Sequence, residues 1–163
     1  MNQPPDRQSV ARELDLERLH ASGSRWFYWI AALSLVNSIA AMSNSDFGFV
    51  IGLGMTQFID GIALALVKGT SGDMVIAAKA CAFVADLVVS GLFVLFGAFA
   101  RKGHDWAFML GMICYGADAL LYVLTANWIA IGFHGLALFF IYRGMQAHKQ
   151  LAALRAAGQG SAA

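Results

Sequence analysis

Five runs of apolar residues divide the chain, at 26–42, 47–67, 74–100, 106–126 and 128–142. None alternates in the way a half-buried strand does. Runs of this length predict helices that cross a bilayer, which takes roughly 20 predominantly apolar residues. Aromatic residues mark their boundaries. Trp26, Phe27, Tyr28 and Trp29 open the first run, Trp106 the fourth and Trp128 the fifth, which Tyr142 closes. Aromatic side chains collect where lipid headgroups meet the hydrocarbon. Pro4 and Pro5, the two prolines, lie outside every run, so ring sterics kink none of them.

Composition sharpens the picture. The chain has 163 residues, 59% hydrophobic and only 13% charged. Soluble domains run about 45–50% apolar and about 25% charged, so a soluble core could not absorb this surface. Two cysteines are too few for a disulfide-stapled module, and Cys81 and Cys114 read as small apolar fillers. A net charge of +1 supplies no basic field for nucleic acid. The expectation is an all-α, polytopic membrane helix bundle with the lipid bilayer as its first partner.

Basic residues decide the number of crossings. They fall before the first run (Arg7, Arg12, Arg18, Arg25), between the third and fourth (Arg101, Lys102), and after the fifth (Arg143, Lys149, Arg155). Lys and Arg favour the cytoplasmic side. With five crossings these groups split between the two sides. With four they all face the cytoplasm, and only Lys68 lies outside. The second run is the one that does not look like a simple crossing. It begins with three glycines in eight residues, 47–54, which weakens a helix, and then carries Thr56, Gln57 and Asp60. The reading is therefore four transmembrane helices plus one re-entrant or interfacial segment at 47–67, with five full crossings as the alternative. Residues 1–25 form a cytoplasmic polar segment with an interfacial helix at 8–22, whose acidic residues predict an uncleaved first helix. The bundle spans 26–145. Residues 146–163 form a cytoplasmic helical extension and tail. The expected location is the inner (plasma) membrane, with both termini cytoplasmic.

Five ionisable side chains inside apolar runs carry the candidate chemistry: Asp60, Lys79, Asp86, Asp118 and His134. A charge at mid-bilayer costs about 2.5–3.5 kcal/mol even on the lenient insertion scale, so such groups face inward with a partner. At about 1.5 Å per residue, Lys79 lies roughly 8 Å below the outer end of its helix and Asp86 roughly 18 Å. Asp118 lies about 14 Å down and His134 about 11 Å. All five fall in the outer half and are expected to share an ion- or solute-binding pocket. Asn37 and Tyr115 lie on the adjoining polar stripes of the first and fourth runs as supporting groups. Lys79 also reads as a side chain that reaches the interface, and Asp118 with His134 as a pair that fixes helix register.

No spacing of metal ligands, nucleophile elbow or phosphate loop is present, so no metal, no cofactor and no catalytic residue is assigned. The functional expectation is a partner subunit or scaffold with a buried polar network, in a homo-oligomer or a larger membrane complex. The alternative is binding or transport of a proton, ion or small solute through an outward-facing polar cavity.

Overall fold

The structure is a computed structural model that describes residues 7–43, 52–69 and 72–160. Five helices account for most of them: α1 (Arg7–Met42), α2 (Gly54–Leu66), α3 (Asp73–Arg101), α4 (Asp105–Leu124) and α5 (Trp128–Gly160). No strand occurs among the described residues.

Helices α3, α4 and α5 are each long and apolar enough to cross a membrane. The apolar half of α1 is shorter and carries Ser34, Asn37 and Ser38 on its buried side. Helix α2 has 13 residues, about 20 Å, which falls short of a hydrocarbon core about 30 Å thick. The outer faces are apolar. Val84, Leu87 and Val88 of α3, Ile113 and Leu120 of α4 and Ile129 of α5 are all exposed. Trp29, Trp106 and Trp128 are exposed with them. An apolar surface this extensive fits a membrane protein and not a soluble monomer.

The turns follow local chemistry. Gly103, at φ +86°, reverses the chain between α3 and α4. Asn127 starts α5 by accepting a hydrogen bond from the Ala130 amide at its side-chain oxygen, 3.1 Å away. This satisfies one of the donors a helix start leaves unpaired. Two contacts fix which ends meet. The Lys79 ammonium donates to the Met42 carbonyl, 3.3 Å away, which sets the end of α1 beside the start of α3. At the opposite end the His20 ring nitrogen Nε2 donates to the Ala100 carbonyl at 2.9 Å, and the His20 ring lies 4.8 Å from that of His148.

Sequence expectation and structure differ in two places. The interfacial helix at 8–22 and the first apolar run are one continuous helix, because no proline or glycine pair interrupts 7–42 and the polar half packs on α5. There Arg155 donates to Glu13 at 2.9 Å and to Glu17 at 2.5 Å. Cys81 and Cys114, expected as interior fillers, are free and exposed.

Helix α1 lies against α3 and α5, and its approach to α5 depends on glycine. A Cβ on Gly23 would stand 2.6 Å from the Gly144 Cα, so the two backbones touch. Small residues permit such close crossings. Above the crossing, Phe27 is fully buried among Phe93, Phe96 and Phe108. Gly23→Ala is expected to destabilise the protein by about 1–3 kcal/mol in denaturant titrations in mild detergent, through overpacking against backbone. Gly132→Ala, whose added Cβ meets nothing within 4 Å, should be neutral or stabilising in the same titration.

Candidate functional site

The site is built around the start of α2. Leu53 and Thr56 are almost fully buried, whereas Leu66 at the other end is 76% exposed. Helix α2 thus begins inside the bundle and runs outward. Its first amides need acceptors, because a helix leaves its first four N–H groups unpaired and an apolar bundle offers no bulk water.

The first amides of this start find acceptors on other helices. The Leu53 amide donates to Ser34 Oγ of α1 at 2.7 Å. The Gly54 amide donates to Asp118 Oδ2 of α4 and the Met55 amide to Asp118 Oδ1, both at 2.7 Å. Thr56 Oγ1 donates to the Leu53 carbonyl at 2.8 Å. The Tyr122 hydroxyl lies 3.4 Å from the Gly52 carbonyl, its acceptor. The carboxylate therefore caps a helix to which it is not covalently adjacent. It also faces the positive end of the α2 dipole, a favourable place for an anion. Glycine at 54 is required by the close approach: a Cβ there would stand 2.8 Å from the Tyr122 ring. At position 52 a Cβ would occupy the space of the Asn37 side-chain nitrogen.

His134 completes the arrangement from α5. Its Nε2 lies 3.0 Å from Asp118 Oδ2, and its Nδ1 lies 2.8 Å from the Ala130 carbonyl. A carbonyl and a carboxylate are both acceptors, and a neutral imidazole has one N–H. Filling both contacts takes one proton more than a carboxylate and a neutral imidazole hold between them. The Tyr115 ring stacks on the imidazole at 4.2 Å and Tyr122 leans on it at 5.0 Å. Aromatic faces favour a cation between them.

Asp60 and Asp86 lie elsewhere on α2 and α3, beside each other. Asp86 is fully buried, and neither of its oxygens has a hydrogen-bond partner among the described residues. Ser38 of α1 stands near enough to act on it, but the Ser38 hydroxyl is donated to the Ser34 carbonyl. Lys79 shares a small cavity with Asp60. The five ionisable residues singled out from sequence thus form two clusters, Asp118 with His134, and Asp60 with Asp86 and, across the small cavity, Lys79. Asp60 lies roughly 9 Å along α2 from the Asp118-bound amides. Of the supporting groups, Asn37 packs at Gly52 and Tyr115 on His134. Sequence reasoning missed the backbone amides of Gly54 and Met55 as partners of Asp118. The signal was present in Gly52 and Gly54, which mark a place of close approach as well as a weak helix.

These features define a class: an all-helical bundle suited to a bilayer, with a buried carboxylate–imidazole pair gripping the start of a short inserted helix. Comparison of the chain with protein-family models, with curated proteins and with solved structures finds no match.

Asp118→Ala strands two amides and an imidazole, and is expected to lower unfolding stability by about 3 kcal/mol. His134→Ala leaves both amide bonds intact and should cost less. The double variant should be barely worse than Asp118→Ala, so that a double-mutant cycle in mild detergent returns a clear coupling energy.

Proposed function

We propose that the protein is a multi-pass inner-membrane scaffold or partner subunit, which works in a homo-oligomer or a larger membrane complex. In this reading four helices, α1, α3, α4 and α5, cross the bilayer, both termini are cytoplasmic, and α2 is re-entrant from the outer side. The observation that carries it is the engagement of Asp118. Both of its oxygens are taken by the α2 backbone and by His134, so the group gives shape to the bundle.

Two further features support the reading. Met42 and Lys79 meet, so the segment between α1 and α3 starts and finishes at one end of the bundle. That proximity supports a re-entrant path for the segment between them. Gly61, Gly91, Gly132 and Gly135 also have open space where a Cβ would be. Outward glycines on apolar helices let a neighbouring helix approach closely.

Cysteines placed at Ser45, Ser71 and Gly103 test the topology with a membrane-impermeant thiol reagent, in a Cys81→Ser, Cys114→Ser background. Labelling of 45 and 71 from the outside, and of 103 only after the membrane is opened, is expected. Labelling of 45 and 71 from opposite sides contradicts the re-entrant path. Association is tested by native mass spectrometry of protein extracted in polymer-bounded lipid discs. The expected species is a homo-oligomer or a stoichiometric complex, weakened at least threefold by Gly91→Leu or Gly132→Leu. A monomer at cellular concentration contradicts the scaffold reading.

A further inference from the structure

The second cluster differs from the first in one physical respect: its hydrogen bonding is incomplete. The Asp86 carboxylate is fully buried, at 0% exposure, with both oxygens unpartnered among the described residues. The Ser90 hydroxyl, one turn further along α3, is also buried and also without a partner. A buried polar group left without a hydrogen bond is costly, and a buried charge without a counter-charge costs more. Here the neighbour of that carboxylate is a second carboxylate, Asp60 of α2. Two adjacent anions in an apolar bundle repel strongly unless positive charge lies between them.

The surroundings specify what that charge can be. Three helices bring oxygen atoms to the place: Ser38 from α1, Asp60 from α2 and Asp86 from α3, with the buried Ser90 one turn further along α3 on the same face. An all-oxygen set suits a hard cation or a proton and not a soft metal. The cavity beside Asp60, lined by Ala41, Met42, Ala63, Leu64, Lys79 and Ala82, has a volume of only about 10 Å³. That is about one water-sized probe, so no organic solute fits. Lys79, the cationic side chain on the same cavity, already brings one positive charge to its lining. Calcium takes six to eight oxygen ligands and magnesium keeps several of its waters, and a cavity of one water-sized probe has no room for either shell.

We propose that Asp60 and Asp86 form a binding site for one small monovalent cation, a proton or sodium, entered from the end of the bundle where Lys79 meets Met42. The Ser38 and Ser90 oxygens complete the coordination. The site is separate from the Asp118–His134 pair, and it stands whether or not the protein is a scaffold. Because Asp60 is on α2 and Asp86 on α3, occupancy ties the two helices together. An empty site pushes them apart.

A hydrophobic carbodiimide tests this on the intact wild-type protein in lipid discs. The reagent adds to protonated carboxyl groups in apolar surroundings, and mass spectrometry locates the adduct. In sodium-free buffer at pH 7, Asp60 or Asp86 should be labelled at least tenfold more than the exposed Asp73. Suppression by sodium chloride, but not by choline chloride, identifies sodium as a ligand. Labelling that ignores sodium but falls as pH is raised identifies a proton site. Absence of labelling at both residues at pH 7 overturns the proposal, as does labelling indifferent to both sodium and pH, or suppressed only by calcium or magnesium. Asp86→Asn keeps the shape of the side chain and should abolish the sodium or pH response at Asp60. The wild-type measurement stands even where that variant does not fold.

Discussion

The hydrogen bonds from Asp118 to the start of α2 are the constraint on which the remaining structure depends. A helix that begins inside an apolar bundle brings unpaired amides to a place without water, and each must find an acceptor or forfeit several kcal/mol. Ser34 accepts one of these amides and Asp118 accepts two. The same carboxylate meets His134, so one side chain joins α2, α4 and α5, while Ser34 brings in α1. Remove the carboxylate and α2 has no reason to begin at this depth. With its depth set, Asp60 is carried to the level of Asp86, and the second cluster follows from the first.

The two clusters illustrate opposite uses of buried polarity. Around Asp118 every acceptor and donor is matched, and such a network rigidifies and specifies a single arrangement. Around Asp86 the matching is incomplete, and the arrangement asks for something else to be present. Away from both, the bundle is held by packing that involves no charge: the Gly23–Gly144 crossing, the phenylalanines around Phe27, and the α1–α5 contact near Leu16 and Leu151. The exposed Arg155 pairs with Glu13 and Glu17 add little to stability, since solvent screens them.

Much of this was legible in the residues. Apolar runs located α3, α4 and the start of α5 within a few positions, since length and hydropathy are enough to mark such helices; the run of α5 stops at 142, and the helical extension expected from 146 carries the helix on to Gly160. The short turn at Ala126 and Asn127 placed α4 and α5 side by side, which made Asp118 and His134 natural partners. The polar stripes of the first and fourth runs held Asn37 and Tyr115, both of which face the interior. What side chains alone did not disclose was the role of backbone. Amide groups leave no mark in a hydropathy pattern, so the main partner of Asp118 was invisible, and a single shared pocket was the simplest arrangement of five ionisable groups. The division into two clusters follows from the depth of α2, a tertiary fact. Helix α1 was longer than its pattern suggested because its polar half is covered by α5 and not by lipid. Cys81 and Cys114 were misjudged because a small side chain fits a lipid-facing position as readily as an interior one.

The central claim is that the Asp118 carboxylate caps α2 from another helix, and through-bond NMR tests it most directly. In isotope-labelled protein in lipid discs or detergent, scalar couplings across hydrogen bonds connect an amide nitrogen to the carbon bearing its acceptor. The account predicts cross-peaks from the Gly54 and Met55 amides to the side-chain carboxyl carbon of Asp118. Gly54 and Met55 amides that exchange rapidly with water and show no such coupling, while the bundle is otherwise folded, would contradict it.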